Sequence, residues 1–168
     1  GGGGKAGEPV VVVDLCAGKG WTSLFLAQRF PEGRFLMLDR DGRRDLRHLE
    51  PFPCVESREL DICTPEAERQ VRAHFRGGPS GEGGKAEGAG EAVAVLLGVH
   101  LCGQLSRVAV ELWRACEGDS LLLCPCSPTA QLCPTTFGHP LRSSGVIIIT
   151  CCTMNVFLKC QKLALAAA

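Results

Sequence analysis

The sequence predicts an α/β protein: a Rossmann-like, doubly wound, mostly parallel sheet with helices on both faces. Three observations carry that prediction. Short apolar runs alternate with helical patterns along most of the chain. Within the runs the apolar residues are consecutive rather than alternate, which is how strands buried on both faces read. The first run passes through an acidic residue into a glycine turn and then a helix, in "VVVDLCAGKGWTSLFLAQRF". A strand, a glycine turn and a helix N-terminus in that order outline a nucleotide-cofactor site.

Each element follows from local chemistry. Residues 8–15 read as a buried strand, with a β-branched run at 10–13. A helix over 21–30 follows, ended by Pro31-Glu32-Gly33. A second apolar run, 34–38, closes on Asp39. Residues 41–49 are charged, with Leu46 and Leu49 three apart, which predicts a short surface helix before Pro51. A third, weaker strand is expected over 54–62, ending near Asp61. Pro65 opens a helix over 65–76 behind Thr64 as capping residue. The glycine-rich stretch 77–91 lacks large hydrophobic residues and reads as a flexible insertion. Residues 92–100 restore a buried strand. Residues 104–116 form an amphipathic helix through Leu105, Val108, Ala109, Leu112 and Trp113, and 120–124 a fifth strand stopped by Pro125. Beyond it, 127–144 shows no periodicity, 146–150 is one more strand candidate and 155–168 an apolar helix. The organisation is therefore a flexible segment 1–8 and one domain over 9–168, incomplete at its C-terminal end and unassigned over 127–168.

Composition narrows the function classes. A chain of 168 residues is long enough for one domain with a substantial core. Lys plus Arg balances Asp plus Glu at 18 each, so no global field draws the protein to nucleic acid or a membrane, although a local patch at Arg43, Arg44 and Arg47 is available for phosphate. No apolar run is long enough to cross a bilayer, and the start lacks the apolar core of a signal peptide. An intracellular, cytoplasmic protein without membrane contact is the expectation. The 11 cysteines, an odd number among apolar neighbours, read as buried thiols rather than a disulfide framework. Cys124, Cys126, Cys133, His139, Cys151, Cys152 and Cys160 crowd the C-terminal third without the paired knuckles of a zinc site, so no metal is expected.

The candidate site lies where the strands end. Gly18 and Gly20 let the backbone turn sharply and approach a ligand, and the helix from Trp21 points its free N–H groups at the same place. The dinucleotide fingerprint G-x-G-x-x-G is short of its third glycine, where Ser23 stands. Asp14, four residues before Gly18, would repel a pyrophosphate and suits a ligand carrying an ammonium group. Asp39, 19 residues beyond Gly20, ends the second strand, from which an acidic residue reaches ribose hydroxyls. Asp61 ends the third and is placed to touch an adenine edge. An amine, a ribose and an adenine together describe S-adenosylmethionine better than NAD.

The loop D-x-x-x-G-x-G with its acidic second-strand end resembles the class I S-adenosylmethionine-dependent methyltransferases. "DLCAGKGWTS", "LDRD", "VHLCGQLS" and "LLLCPCSP" resemble a subgroup with a GKG loop and an H-L-C-G segment after the fourth strand. That subgroup includes tRNA 2′-O-methyltransferases acting on the acceptor stem and methyltransferase-like proteins with a glutathione-S-transferase C-terminal-type domain. The resemblance covers about residues 10–127. It implies that Asp14, Gly18 and Gly20 line the methionine end of S-adenosyl-L-methionine, with Cys16 and Ala17 in the same turn. Asp39 with Arg40 would bind the ribose and Asp61 with Ile62 the adenine, while His100 to Gly103 would face the meeting point of methyl group and substrate. RNA, tRNA in particular, is the implied substrate, with further domains or a partner subunit for its recognition. Two departures stand out: many class I enzymes have glycine where this chain has Cys16, and a full fold adds a final antiparallel pair of strands.

His100 reads either as a general base on a ribose hydroxyl or amine or as a structural histidine holding its loop. Cys102, Cys124 and Cys126 read as packing, Trp21 as core, and Lys19 as exposed or beside a substrate phosphate. Two rival functions remain: an NAD(P)-binding Rossmann oxidoreductase, and a non-catalytic module that keeps the fold to bind RNA or protein.

Overall fold

Strands β1 (Val10–Leu15), β2 (Arg34–Asp39), β3 (Val55–Glu59), β4 (Val93–Val99), β5 (Ser120–Cys124) and β6 (Gly145–Ile148) form one sheet in the order β3-β2-β1-β4-β5-β6. Every neighbouring pair is parallel. The molecule is described here from a computed structural model that defines residues 9–77, 92–101 and 103–124, and the backbone of 145–148. The segment 1–8, nearly all of the glycine-rich stretch, Cys102, most of 127–168 and the cysteines beyond Cys124 lie outside the described residues.

Helices α1 (Trp21–Arg29), α2 (Pro65–Arg76) and α3 (Leu105–Cys116) provide the crossovers that parallel strands require. Side chains alternate across a strand, so the central strands load two different faces. Val13, Leu15, Leu36 and Leu38 point to one face and are sealed by Ala67 and Val71 of α2 and by Ala109, Val110 and Trp113 of α3. Val12, Phe35 and Met37 point to the other, against Leu24 and Ala27 of α1 and against Leu49. The doubly wound fold expected from the sequence is thus present; of the described α-helices, α1 lies on one face and α2 packs against α3 on the other.

Four local expectations are corrected. Residues 41–49 are not a helix but a loop ending in a 3₁₀ turn, Arg47–Leu49. The carboxylates of Asp41 and Asp45 accept the backbone N–H groups of Arg43 and Arg47, and such side-chain-to-backbone bonds compete with helical ones. Thr64 occupies the N-cap of α2 but makes no capping bond; its hydroxyl donates to the Asp61 carbonyl at 2.7 Å. The last strand lies directly beside β5 and parallel to it, rather than in an antiparallel pair. The chain between Cys124 and Gly145 exceeds the dozen or so residues a parallel crossover needs. The third strand is shorter than expected and is the outer edge of the described sheet; of its side chains, Glu56, Ser57 and Glu59 are exposed.

From β1 the chain proceeds outward to β2 on one side, while β4 flanks β1 on the other. Strand order reverses between β1 and β4, so the crevice beyond their carboxyl ends is where this architecture takes ligands.

Candidate functional site at the carboxyl ends of β1, β2 and β4

The loop after β1 is set by three left-handed residues, Cys16 (φ 53°), Gly18 (φ 56°) and Gly20 (φ 74°). Glycine is required at 20 on two counts, its φ and the Met37 side chain, 2.4 Å from where a Cβ would stand. At Gly18 a Cβ would meet nothing within 4 Å, so the loop there borders open space. Cys16 adopts the conformation for which glycine is favoured, at a strain on the order of 1 kcal/mol. That accounts for the sequence expectation of glycine at this point. On the other side of the crevice, His100 after β4 is also left-handed, at φ 61°. Two non-glycine residues in a sparsely populated conformation, one after each strand flanking the switch point, mark the crevice as a constrained site.

Asp39 organises the loop. Its Oδ2 accepts the Gly18 N–H at 2.8 Å and its Oδ1 the Asp41 N–H at 2.9 Å. Arg44, in the charged stretch expected to be a solvated face, turns inward instead, its side chain 8% exposed. Its guanidinium donates to the Gly18 carbonyl at 2.6 Å and to the Asp41 carbonyl, and stands 4.0 Å from Asp39 Oδ2. The Gly20 N–H donates to the Ala17 carbonyl at 2.9 Å and Ala17 N–H to the Leu38 carbonyl at 3.3 Å. The amides of both loop glycines are therefore already engaged within the protein.

Asp14 lies beneath the loop on the α1 face, 2% exposed, and accepts the Ser23 hydroxyl at 2.8 Å. Burial pushes its carboxyl up to about 6, the Ser23 bond working against that and the nearby Asp39 charge adding to it. It braces β1 against α1 rather than standing open to a ligand, and Ser23, in the place of a third glycine, is its partner. Ile62 is likewise in the core against α2. Asp61 is exposed, its Oδ1 accepting the Cys63 N–H at 2.9 Å in the turn before α2. Burial, aided by the carboxylates of Asp39 and Asp61 and the thiol of Cys63, raises the Cys16 thiol to about 11. Asp39, Asp61, Cys16 and Cys63 therefore share one electrostatic neighbourhood, with the Arg40 cation opposing the others. At neutral pH Cys16 is a thiol, not a nucleophilic thiolate.

A cavity of about 430 Å³ opens in the turn after β2, lined by Arg40, Asp41, Gly42, Arg43 and Glu59. Glu59, absent from the sequence expectations, presses on Gly42 so closely that a Cβ there would fall 1.9 Å from its Oε2. His100 is exposed, and its backbone N–H donates to the Cys124 carbonyl at 2.7 Å, tying the β4 loop to the end of β5. Trp21 is not in the core as expected but 51% exposed, with its ring stacked on His48. Among the described residues no group of three or more His, Cys, Asp or Glu is arranged to hold a metal ion, and no helix is long and apolar enough to cross a membrane.

The contacts that Arg44, His48, Ser23 and Glu59 make here were not legible in the sequence. None carries a local signal, because each acts on a residue of another element or loop: Arg44 on Gly18, His48 on Lys19, Ser23 on Asp14 and Glu59 on Gly42. No family model and no curated protein matches this chain.

Proposed function

We propose that the crevice binds S-adenosyl-L-methionine and that the protein is a methyltransferase acting on RNA. The observation that carries this is the engagement of the glycine amides over two carboxylates. A pyrophosphate bound at this loop needs free amide donors and a positive surround. Here Gly18 N–H is held by Asp39, Gly20 N–H by Ala17, and Asp14 lies beneath. A ligand with an ammonium group and a ribose suits these surroundings. With its carboxyl near 6, Asp14 is mostly ionised at neutral pH and supplies negative charge from below the loop. Asp39 retains lone pairs for ribose hydroxyls, the open space over Gly18 admits the ligand, and Asp61 borders the same region.

The cofactor would supply an electrophilic methyl group on a sulfonium. The chain's part is to hold the acceptor in line with it and to keep both in attack geometry. His100, exposed at the β4 side of the crevice, is our candidate to take a proton from a hydroxyl or amine acceptor.

One observation favours a second reading. The order β3-β2-β1-β4-β5-β6, parallel throughout, is the dinucleotide-binding order. Calorimetric titrations with S-adenosylhomocysteine and with NADH separate the two: heat with the first alone supports the methyltransferase, heat with NADH alone overturns it. Asp39→Ala should weaken S-adenosylhomocysteine more than tenfold, through lost ribose bonds and a loosened Gly18 turn. Unchanged affinity would move the site elsewhere.

A further inference from the structure

Trp21, the first residue of α1, keeps 51% of its surface exposed, and its indole stacks on the His48 ring with centroids 4.5 Å apart and planes 28° from parallel. A ring this large gains most from burial, so its position on the surface is unfavourable for folding alone. It is nevertheless held in place, because His48 Nε2 is hydrogen-bonded to the Lys19 carbonyl at 2.7 Å. The stack borders a cavity of about 470 Å³ lined by Lys19, Trp21, Asp45, Arg47 and His48. Arg47 pairs with Asp45 at 2.7 Å, both side chains largely exposed. An exposed pair of this kind is worth at most about 1 kcal/mol, so a phosphate can compete for the guanidinium. Lys19 adds a second cation, leaving the lining net positive. One turn along the same side of α1, Phe25 is 66% exposed. Aromatic faces in succession beside cations are what single-stranded nucleic acid requires: bases stack on the rings and phosphates meet Lys and Arg.

We propose that Trp21, backed by His48, is a stacking platform for single-stranded RNA, with Lys19 and Arg47 meeting its phosphates and Phe25 receiving the next base. This deepens the RNA half of the methyltransferase reading and rests on it for the role of the bound strand as acceptor. Lys19 lies between Gly18 and Gly20, so the platform and the cofactor crevice share one loop. Because positive and negative charges balance over the whole chain, binding depends on this patch and on stacking rather than on a global field.

The test is titration of the full chain, without cofactor and at low salt, with a ten-nucleotide mixed-sequence RNA and with an abasic ribose-phosphate strand of equal length. The chain has two tryptophans, and Trp113 is buried, so quenching on stacking reports Trp21. The RNA should quench the fluorescence and bind about tenfold or more tighter than the abasic strand. Trp21→Ala should weaken it by about tenfold or more, while Trp21→Phe retains most of the affinity. Lys19→Ala with Arg47→Ala should flatten the salt dependence by roughly one to two in log–log slope. Equal binding of the abasic strand, or an undiminished Trp21→Ala, would reduce the patch to a charge site and overturn the platform. Absence of RNA binding would overturn it as well, and leave the Trp21–Phe25 face to a protein. Since no cofactor is present, failure here leaves the cofactor titrations untouched, and their failure leaves this one untouched.

Discussion

The two faces of the sheet are built from the same strands and do different work. On the α2/α3 side the neighbours Val13, Leu36 and Leu38 are wholly buried in a continuous apolar cluster. One residue along, on the α1 side, stand Asp14, Met37 and Asp39. That side has smaller apolar clusters, a buried carboxylate, a hydroxyl partner in Ser23 and a helix that shows Trp21 and Phe25 to solvent. The contrast teaches that stability is concentrated on the first face, which frees the second to hold charge in unfavourable places. Buried charge and exposed aromatic surface both work against folding, and they cluster on the same side.

Leu36→Ala should break the comparison most forcefully. The residue is 1% exposed under α2 and α3, and its truncation should cost about 3 kcal/mol in a denaturant melt. Affinity for S-adenosylhomocysteine in the folded protein should be unchanged; a parallel loss of affinity would mean that the faces are not separable.

Asp14→Asn should act in the opposite direction. A carboxyl raised to about 6 binds its proton more tightly in the folded than in the unfolded chain. The fold is thus favoured while Asp14 is protonated and loses stability as pH rises from about 4 to about 6. Asparagine, neutral throughout and still able to accept from Ser23, should be more stable by on the order of 2 kcal/mol at pH 7 and about equal near pH 4. It should also bind the ammonium-bearing ligand more weakly. A variant no more stable at pH 7 would mean that the burial of Asp14 is compensated.

Arg44→Lys sharpens the comparison at the smallest scale. Lysine keeps the charge but not the planar fork that reaches two carbonyls at once. Global stability should fall by about 1 kcal/mol or less, whereas amide exchange at Gly18 and Gly20 should accelerate. Unaltered exchange would show that Asp39 alone holds the loop.

The sequence made the apolar face legible and the other only in outline. β1, β2, β4 and β5 were readable because consecutive apolar residues mean burial on both sides, α2 because Pro65 marks its start, and α3 from its amphipathic pattern. The place of Asp39 at the end of β2 was readable from the apolar run before it, but its hold on the Gly18 N–H was not. The burial of Asp14 was not, since which strand positions lie beneath a helix is decided by packing. Trp21 was misread because α1 carries Trp21, Leu24, Phe25, Leu26 and Ala27, apolar residues nearly all round, so no stripe says which side is covered. The loop after β2 was misread because Asp41 and Asp45 bond the backbone locally where a charge pattern alone suggests a helix.

β3 leaves a last consequence, for self-association. It is one edge of the described sheet, and an open strand edge invites pairing with another chain. Glu56, Arg58 and Glu59 populate it, and Glu56 and Arg58 form an ion pair along the strand at 2.6 Å. A second copy docking edge to edge in parallel register would set like charges side by side and desolvate that pair. The least apolar strand of the described sheet thus lies at an edge, where charge rather than apolar surface meets any approaching chain.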